Sequence, residues 1–389
     1  MGGKVGGWLG LIAGLTTLVG TLAAAPGPTP VTQGSALQPL QESQQSQVWA
    51  DLSWPLERSA LIQAINHSLT YLASPKAAVD YQNPAIPGLS RDRLWRSLQR
   101  LRELVQTSPD QASWQAALAG EFQLYQAIGQ DGQGTVAFTG YFEPHFRASP
   151  VATPEYAYPL YRRPPDLDTW LRPHPTRVDL EGIDGLQGSQ GPLAGLELVW
   201  LADRLEAFLV QVQGSARLDL PDGRVMAVGY AGRTDYPYSS IGRALVEDGK
   251  IAAGELSLPR LMAYFADHPD QLDTYLPRNQ RFIFFRETPG GAPIGSLRVP
   301  VTAGYSIATD KSLMPPGAIA LIQLALPQRS ATGAWVSRPT TRLVLDQDTG
   351  GAIVGPGRVD LFVGSGPEAG ELAGRINGPG RLFYLLLKP

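Results

Sequence analysis

Glycine and proline interrupt this chain so often that a fold built mainly from long helices is excluded. The sequence contains 43 Gly and 34 Pro in 389 residues, about one residue in five. In an average protein the two together make up roughly 12% of residues, and both mark turns. The glycines do not recur at every third position, so a collagen-like fibre is excluded as well. This pattern predicts many turns between short strands, as in β-barrels and β-sandwiches.

Helices are nevertheless predicted before residue 134. Apolar residues recur at helical spacing over 61–72, over 91–105 after a capping Ser90, and over 111–128. Beyond Gly134 the pattern becomes that of strands and turns, with helices predicted only at 239–248 and 258–265. The predicted strands are 136–142, 196–201, 207–212, 225–230, 282–285, 297–301, 319–324, 341–345, 361–363 and 382–387.

Several kinds of site are excluded by what the chain lacks. With no cysteine there can be no disulfide, thiol nucleophile, Cys-ligated zinc, iron–sulfur cluster or lipid-modified cysteine. The histidines do not have metal-ligand spacing, so neither a catalytic zinc nor a Ser–His triad is expected. They are His67, His145, His174 and His268. The 32 basic and 35 acidic residues give a net charge of −3 without a basic run, so no nucleic-acid partner is expected.

The N-terminus resembles a targeting segment. Lys4 is followed by an apolar stretch that ends in three alanines at 23–25, the layout of a cleavable export signal. The alternative is an uncleaved membrane anchor, because 21 residues can cross a bilayer. Residues 26–55, rich in Pro, Gln and Ser at their start, are predicted to be a tether without a core of its own.

The segment 343–374 carries the strongest chemical signal. A predicted strand delivers Asp346 and Asp348 to a Gly-Gly turn, and a second strand delivers Asp360. Carboxylates that meet in one cleft repel each other and lose solvent, which raises the pKa of one of them and creates a general acid. Two other readings remain open. The aspartates can simply stabilise turns, and a calcium loop is weakly suggested, although its twelfth position is Gly357 rather than Glu.

Seven motifs in the same order resemble the lytic murein transglycosylase A family, whose members cut peptidoglycan. The resemblance covers about 111–387 and includes the family's aspartate-rich 3D region. The motifs are TGYFEP at 139–144, YPLYR at 158–162, VQGSA at 212–216, YAG at 230–232 with YSSIG at 238–242, FIFF at 282–285, ATDKS at 308–312 with PPG at 315–317, and the acidic segment from Asp348 to Ala369. Glu143 and Ala216 depart from the family pattern.

The resemblance implies a mainly β fold with a helical N-terminal prelude. A double-psi β-barrel would be formed by 56–145 together with 290–389, with the 3D region at about 298–388. Residues 146–289 would form an inserted substrate-binding domain, also rich in β-structure, with a groove between the two domains. The resemblance also implies an exported protein of the periplasm or cell envelope, attached to the membrane only if its N-terminus is not cleaved.

The implied reaction cleaves the β-1,4 bond between N-acetylmuramic acid and N-acetylglucosamine and leaves a 1,6-anhydro end. Asp360 would be the acid and base, with Asp348 as the second carboxylate. No cofactor or metal is expected. The expected ligand is the peptidoglycan glycan strand and the expected state a monomer, with envelope proteins as further partners. Substrate-binding candidates are Thr139, Gly140, Tyr141, Glu143, Gln213, Gly214, Ser215, Tyr230, Tyr236, Ser240, Asp310, Gly364 and Gly366.

Two alternative functions remain open at this point. A hydrolytic β-glycanase on the same barrel would use Asp348 or another acid to hold a water. A cell-wall glycan-binding module would keep the groove without using the acid. The presence of both Asp348 and Asp360 favours an enzyme.

Overall fold

A computed structural model describes residues 35–55, 57–82 and 88–388. The predicted export signal or anchor at 1–25 lies outside the described residues. Within them, every helix is too short or too polar to cross a bilayer.

The described residues form eleven α-helices, fourteen strands and five short 3-10 turns. The helices are α1 Glu42–Ala50, α2 Arg58–Leu72, α3 Pro75–Asp80, α4 Arg91–Thr107, α5 Gln111–Glu121, α6 Arg177–Glu181, α7 Arg204–Gln213, α8 Ile241–Glu247, α9 Leu258–Asp267, α10 Leu272–Tyr275 and α11 Pro367–Ala373. The strands are β1 Leu37–Pro39, β2 Phe122–Ala127, β3 Val136–Glu143, β4 His145–Ser149, β5 Tyr158–Tyr161, β6 Glu197–Leu201, β7 Ser215–Asp219, β8 Val225–Arg233, β9 Ile283–Thr288, β10 Ser306–Ala308, β11 Ile319–Arg329, β12 Trp335–Asp348, β13 Arg358–Ser365 and β14 Asn377–Leu387. The 3-10 turns are Leu167–Thr169, Gly188–Gln190, Ala253–Glu255, Pro269–Gln271 and Leu276–Arg278.

Six strands close into a barrel. Its order is β14, β11, β12, β10, β13 and β3, and the pairing of β3 with β14 completes the ring. Strands β2 and β1 extend this sheet from β14. Two of the pairs, β10 with β12 and β13 with β3, are parallel, while the others in the ring are antiparallel. Two parallel crossings within a closed six-stranded barrel are expected of a double-psi barrel, and the predicted barrel is confirmed.

A second sheet is built entirely from the chain between β3 and β10. Its order is β5, β6, β4, β7, β8 and β9. Only Pro144 separates the end of β3 from the start of β4, so the chain passes directly from one sheet to the other. Each sheet has its own apolar core, since the buried side chains around β7 and β8 form a cluster separate from that of the barrel.

The N-terminal helices cover the barrel and are capped as their sequences predict. Ser90 accepts a hydrogen bond from the backbone N–H of Arg93 at 3.1 Å and thereby starts α4. The Arg93 Nε then donates to the carbonyl of Leu387 in β14 at 2.9 Å. On the other side, Gln347 of β12 donates to the carbonyl of Ala64 in α2 at 2.6 Å. These contacts hold the helices against the outside of the barrel.

Sequence predictions of secondary structure were wrong at four segments, and helices α6, α10 and α11 beyond residue 134 were not predicted. The tether predicted at 26–55 is structured from residue 35 onward, where β1 pairs with β2 and α1 follows. A polar side chain of this segment forms hydrogen bonds inside the protein: the buried Gln45 donates to the carbonyl of Leu40 and accepts from the N–H of Leu124. Average composition also did not reveal that Leu37, Trp49 and Leu52 are buried in the apolar core of the barrel, which stabilises this segment together with its hydrogen bonds.

The other three errors concern short apolar runs that were assigned to the wrong kind of secondary structure. The helix predicted at 111–128 ends at Glu121, because the next six residues pair with β14 as strand β2. Residues 207–212, predicted as a strand, lie in helix α7, which Asp203 caps by accepting from the N–H of Glu206 at 3.0 Å. The strand predicted at 297–301 is instead an irregular segment with a single bridge from Ile294 to Pro300. Short apolar runs fit either period, so tertiary pairing decides.

Candidate active site

The strand register of the barrel brings the two predicted catalytic acids to either side of β10. Ala308 of this strand pairs with Asp360 of β13 on one side and with Asp348 of β12 on the other. On its far side, Asp360 pairs with Thr139 of β3. Adjacent strands lie about 4.8 Å apart, so these residues form a row across the barrel wall.

Asp360 is largely buried and makes its polar contacts through one oxygen. Its side chain is 19% exposed. Its Oδ1 accepts a short hydrogen bond from the Thr139 hydroxyl and lies 3.2 Å from Arg358 Nη2. The same Nη2 donates to Thr139 Oγ1 at 2.8 Å, so the three side chains form a closed triangle. Within the described residues, Oδ2 of Asp360 has no hydrogen-bond partner, and this leaves that oxygen free to carry a proton.

Burial raises the pKa of Asp360 above its ordinary value. The negative charge of Asp348 raises this pKa further, whereas the Arg358 charge and the Thr139 hydrogen bond lower it. The desolvation of the carboxylate outweighs these opposing contacts, so the net shift is upward. An acid with a raised pKa in a cleft is suited to donate a proton.

Asp348 is held as a hydrogen-bond acceptor. Its Oδ2 accepts from the Tyr141 hydroxyl at 2.8 Å, and its Oδ1 accepts from the backbone N–H groups of Ser296 and Thr349, both at 2.8 Å. Burial and the neighbouring acids raise the pKa of Tyr141 well above its usual value, so this phenol keeps its proton and remains a donor. Three donors thus fix the orientation of the Asp348 carboxylate.

Asp346, the third acid of the cluster, belongs to the barrel interior. Its fully buried carboxylate accepts hydrogen bonds from Thr309, from the Tyr384 hydroxyl at 2.7 Å and from the ammonium of Lys311. Both oxygens of this carboxylate accept hydrogen bonds, and the donors come from β14 and from the residues that follow β10. This carboxylate is therefore part of the structural core of the barrel.

Three polar or charged residues of this region were not predicted from the sequence. Arg358 lies two residues before Asp360 on the same strand and hence on the same face, a spacing that could have revealed it. Tyr238 lies close enough to feel the charges of both Asp360 and Arg358, and burial raises its pKa. Tyr236, which lies between the YAG and YSSIG motifs, was predicted instead. The third, Arg281, also lies within electrostatic reach of Tyr238, and nothing in its sequence context indicated this.

Several predicted substrate-binding residues do lie at or beside the two acids. Thr139 and Tyr141 contact Asp360 and Asp348 directly. Gly140, between them, allows close packing, since a Cβ there would lie 2.7 Å from the Cα of Ala373 in α11. Gly364 and Gly366 have φ values of 118° and 86° at the end of β13, and Gly366 precedes α11. Both positions require backbone conformations that favour glycine.

The VQGSA motif lies where α7 meets β7 and contacts the barrel strand β3. Gln213 Oε1 accepts from the backbone N–H of Phe142 at 3.4 Å. Gly214 ends α7 in the left-handed conformation with φ 80°. Ser215 begins β7 and pairs with Gly229 of β8. The motif therefore shapes the junction between the second sheet and β3.

Four predicted residues are instead occupied by structural contacts. Glu143 is 2% exposed, and its Oε2 accepts from Arg217 Nε at 2.8 Å and from the Ser365 hydroxyl at 2.6 Å. Ser240 caps α8. The Tyr236 hydroxyl donates to the carbonyl of His174 at 2.7 Å.

The fourth of these residues, Asp310, bridges two loops. Its carboxylate accepts from the hydroxyl and N–H of Ser312 and from the N–H of Gly355 at 2.8 Å. Asp310 therefore positions the loop that leads from β12 to β13.

Tyr230 lies apart from these residues in an open cleft of the second sheet region. The cleft has a volume of about 390 Å³ and is also lined by arginines and aspartates, including Arg163, Arg233, Asp168 and Asp235. Among the residues that the structure describes, no group of three or more His, Asp or Glu side chains could hold a metal ion.

Two parts of the chain match known protein families. Residues 137–286 match the MltA specific insert domain, and residues 305–386 match the 3D domain. The first segment coincides with the second sheet plus β3, and the second with the barrel strands that carry the acids.

The similar proteins all carry one activity in their names. The chain is 31% identical over 268 residues to membrane-bound lytic murein transglycosylase A of Escherichia coli K12, covering 68% of this chain and 69% of the relative. It is also 31% identical over 304 residues to the protein of that name from Vibrio cholerae, covering 77% and 78%.

Solved structures agree with the sequence comparison. A membrane-bound lytic murein transglycosylase from Agrobacterium tumefaciens has a TM-score of 0.70 at 28% identity, covering 90% of this chain and 98% of that one. The E. coli MltA structure with bound chitohexaose has a TM-score of 0.67 at 27% identity, covering 86% and 91%.

Proposed function

Because the chain belongs to the lytic murein transglycosylase A family and is a lytic transglycosylase, we propose that Asp360 is the single acid and base with which it cleaves peptidoglycan. The observation that carries this proposal is the position of Asp360. It is a buried carboxyl in a row with Thr139 and Asp348, with one oxygen bonded and the other free.

In the proposed first step, the proton on Asp360 Oδ2 moves to the glycosidic oxygen between the muramyl sugar and the N-acetylglucosamine that leaves. The C1–O bond breaks, and positive charge develops on the muramyl ring. Thr139 and Arg358 hold Oδ1, so they orient the carboxyl without occupying its proton-carrying oxygen. As the proton departs, the Arg358 charge stabilises the carboxylate that remains.

In the second step, the Asp360 carboxylate takes the proton from the C6 hydroxyl of the same muramyl sugar while that oxygen attacks C1. The new C1–O6 bond closes the 1,6-anhydro ring, and Asp360 is again protonated. An intramolecular nucleophile has a high effective concentration and needs no water held by a second acid. One carboxyl therefore suffices for both proton transfers.

Asp348 is proposed to act through its charge. The hydroxyl of Tyr141 and two backbone N–H groups hold its carboxylate on the other side of β10 from Asp360. From there its charge keeps the pKa of Asp360 high and stabilises the positive charge that develops on the sugar ring.

The Asp348→Asn variant tests this role by its pH profile. We expect turnover to fall about tenfold, since one electrostatic contribution to the transition state is lost. The reaction needs protonated Asp360, so the rate falls as pH rises through the raised pKa of this group. Removing the Asp348 charge lowers that pKa, so the alkaline limb of kcat against pH is expected to move to lower pH. Asp270→Asn, an exposed change remote from the barrel acids, is the control. An unchanged alkaline limb would contradict the role of Asp348.

The products distinguish this reaction from its alternatives. On purified peptidoglycan, we expect mass spectra with muropeptides that are one water lighter than reducing-end products, because the ring closes without water. Products that carry the added water would indicate a hydrolytic β-glycanase, and intact sacculi would indicate a binding module. Either result would overturn the proposed mechanism.

The domain organisation and location complete the proposal. The barrel of β3 and β10–β14 would supply the acids, and residues 146–289 would form the substrate-binding insertion. E. coli MltA binds a neutral glycan, chitohexaose, and we propose that this chain binds peptidoglycan strands as a monomer. The relatives are described as membrane-bound, and we propose that this chain lies in the cell envelope, with residues 1–25 as its export signal or anchor.

A further inference from the structure

Arg281 is a buried cation without a protein counter-charge. Its side chain is 8% exposed, and its only hydrogen bond to another described residue runs from Nε to the carbonyl of Tyr236 at 2.8 Å. The other deeply buried arginines of the second sheet region are paired, Arg177 with Glu181 and Arg204 with Asp273. A buried charge is costly unless an opposite charge meets it. No carboxylate of the described residues forms an ion pair with Arg281.

A second guanidinium converges on the same point. Arg233 Nη1 donates to the carbonyl of Tyr236 at 3.4 Å, the same oxygen that Arg281 contacts. A carbonyl oxygen carries only a partial charge, so it does not neutralise two cations. Burial and the charge of Arg233 lower the pKa of Arg281 to about 10. An anion bound between the two guanidiniums would neutralise the buried charge of Arg281 and offset its repulsion by Arg233.

The acids that line the adjoining cleft are already engaged. Asp168 forms an ion pair with Arg163 at 2.6 Å. Asp235 accepts from the backbone N–H of His174 at 3.1 Å and lies 4.0 Å from Arg172. Arg233 and Arg281 therefore retain positive charge that the walls of the cleft do not compensate.

Arg281 lies against the loop that follows Asp348, the second carboxylate of the proposed site. Gly351, in the loop from β12 to β13, packs on Arg281, since a Cβ at this glycine would lie 1.5 Å from Arg281 Nη1. Tyr238 lies within electrostatic reach of both Arg281 and Asp360. Arg233 lines the cleft of about 390 Å³. A sugar whose C1 is at Asp360 would thus carry its substituents toward these guanidiniums.

We propose that Arg233 and Arg281 bind a carboxylate on the O3 substituent of the muramyl sugar that Asp360 cleaves. This proposal rests on the proposed function. Of the two sugars of the strand, only the muramyl sugar has a lactyl group at O3. That group ends in a carboxylate when the stem peptide is absent and carries the carboxylates of the peptide when it is present. Guanidiniums bind carboxylates through paired, charge-assisted hydrogen bonds. The site would then recognise muramyl sugars and set their register in the groove.

Equilibrium binding of three ligands tests the site without relying on turnover. The measurements use the Asp360→Asn protein, so that no ligand is consumed. The ligands are peptide-bearing glycan, glycan stripped of peptide by an amidase, and neutral chitohexaose. In this background, Arg233→Gln is expected to weaken binding of the carboxylate-bearing ligands about tenfold, the loss of a charged hydrogen bond. Binding of chitohexaose is expected to be unchanged.

The two acidic ligands distinguish the two possible sources of the carboxylate, the lactyl group and the stem peptide. Weaker binding of the stripped glycan alone assigns the lactyl carboxylate, weaker binding of the peptide-bearing glycan alone assigns the stem peptide, and weaker binding of both shows that the site accepts either carboxylate. Arg224→Gln, which removes an exposed arginine paired with Asp222 on the hairpin between β7 and β8, is the matched control. Arg281→Lys is expected to retain more affinity than Arg281→Gln, because the charge is kept.

Two results would overturn the proposal. One is equal weakening for chitohexaose and the acidic glycans, and the other is no weakening by either Arg233→Gln or Arg281→Gln. Both results leave the proposed reaction standing, because that depends on the anhydro products of the unchanged protein. Conversely, if the products lacked anhydro ends, the binding measurements would still show whether the two arginines recognise a carboxylate.

Discussion

The Asp360→Asn variant is expected to release anhydro-muramyl products about a thousandfold more slowly than the unchanged protein, while keeping its fold. Asparagine has no proton to give to the glycosidic oxygen and cannot take one from the C6 hydroxyl, so both proton transfers are lost together. Its carbonyl oxygen can replace Oδ1 and accept from Thr139 and Arg358. Its amide nitrogen would take the position of Oδ2, which has no donor against it among the described residues.

Product release from purified sacculi, followed by mass spectrometry, measures this effect. Circular dichroism and a thermal melt check that the variant is folded. Asp270→Asn makes the same chemical change on the surface and is expected to keep full activity. A folded Asp360→Asn protein that still forms anhydro ends at the normal rate would rule out Asp360 as the acid.

The Asp346→Asn variant is expected to show a large loss of stability, whereas Asp360→Asn is expected to lose activity and remain folded. The carboxylate of Asp346 accepts from Thr309, Lys311 and Tyr384, and each of these partners is a donor. An asparagine amide with its NH₂ toward Lys311 meets an ammonium that can only donate, and with its NH₂ toward Tyr384 it forces the hydroxyls to reverse their hydrogen bonds; in both orientations the ammonium of Lys311 loses its counter-charge. Breaking a buried pair on one side costs about 3–5 kcal/mol.

Urea unfolding gives the free energy of unfolding of each variant. A double variant, Asp346→Asn with Lys311→Met, should recover part of the loss, because it removes the unpaired ammonium as well. If Asp346→Asn unfolds at the same urea concentration as the unchanged protein, the buried network does not support the barrel as we describe. The two neighbouring aspartates, 346 and 360, are thus distinguished by two different measurements.

Local patterns were sufficient to predict the two catalytic candidates and most barrel strands. Asp348 and Asp360 each follow or lie in a strand with strong alternation, and the register of β10 brings both to one row. Ser90 marks a helix start that the structure retains. These features depend on residues close in sequence, so they can be read directly.

Most of the features that were missed depend on distant partners. Segment 207–212 is an exception, because it is apolar apart from Gln211 and fits either period, while the caps of its helix, Asp203 and Gly214, lie close in sequence. Residues 122–127 continue a helical pattern until β14 offers a strand edge. Arg281 and Tyr238 are more than 70 residues from Asp360 in sequence, and their approach to it follows from how the second sheet is inserted. Glu143 stood in a family motif, but its carboxylate is used by Arg217 and Ser365.

The closure of the barrel ring also determines at which stage of folding the active site forms. Thr139 and Asp360, which touch in the folded protein, are 221 residues apart along the chain. The ring is completed only when β14, the last strand, pairs with β3. Contacts of such long range form only once most of the chain is available. A partly folded chain therefore keeps Thr139 and Asp360 apart and lacks the assembled acid. The wall-cutting site of this design exists only after the long-range contacts of the barrel have formed.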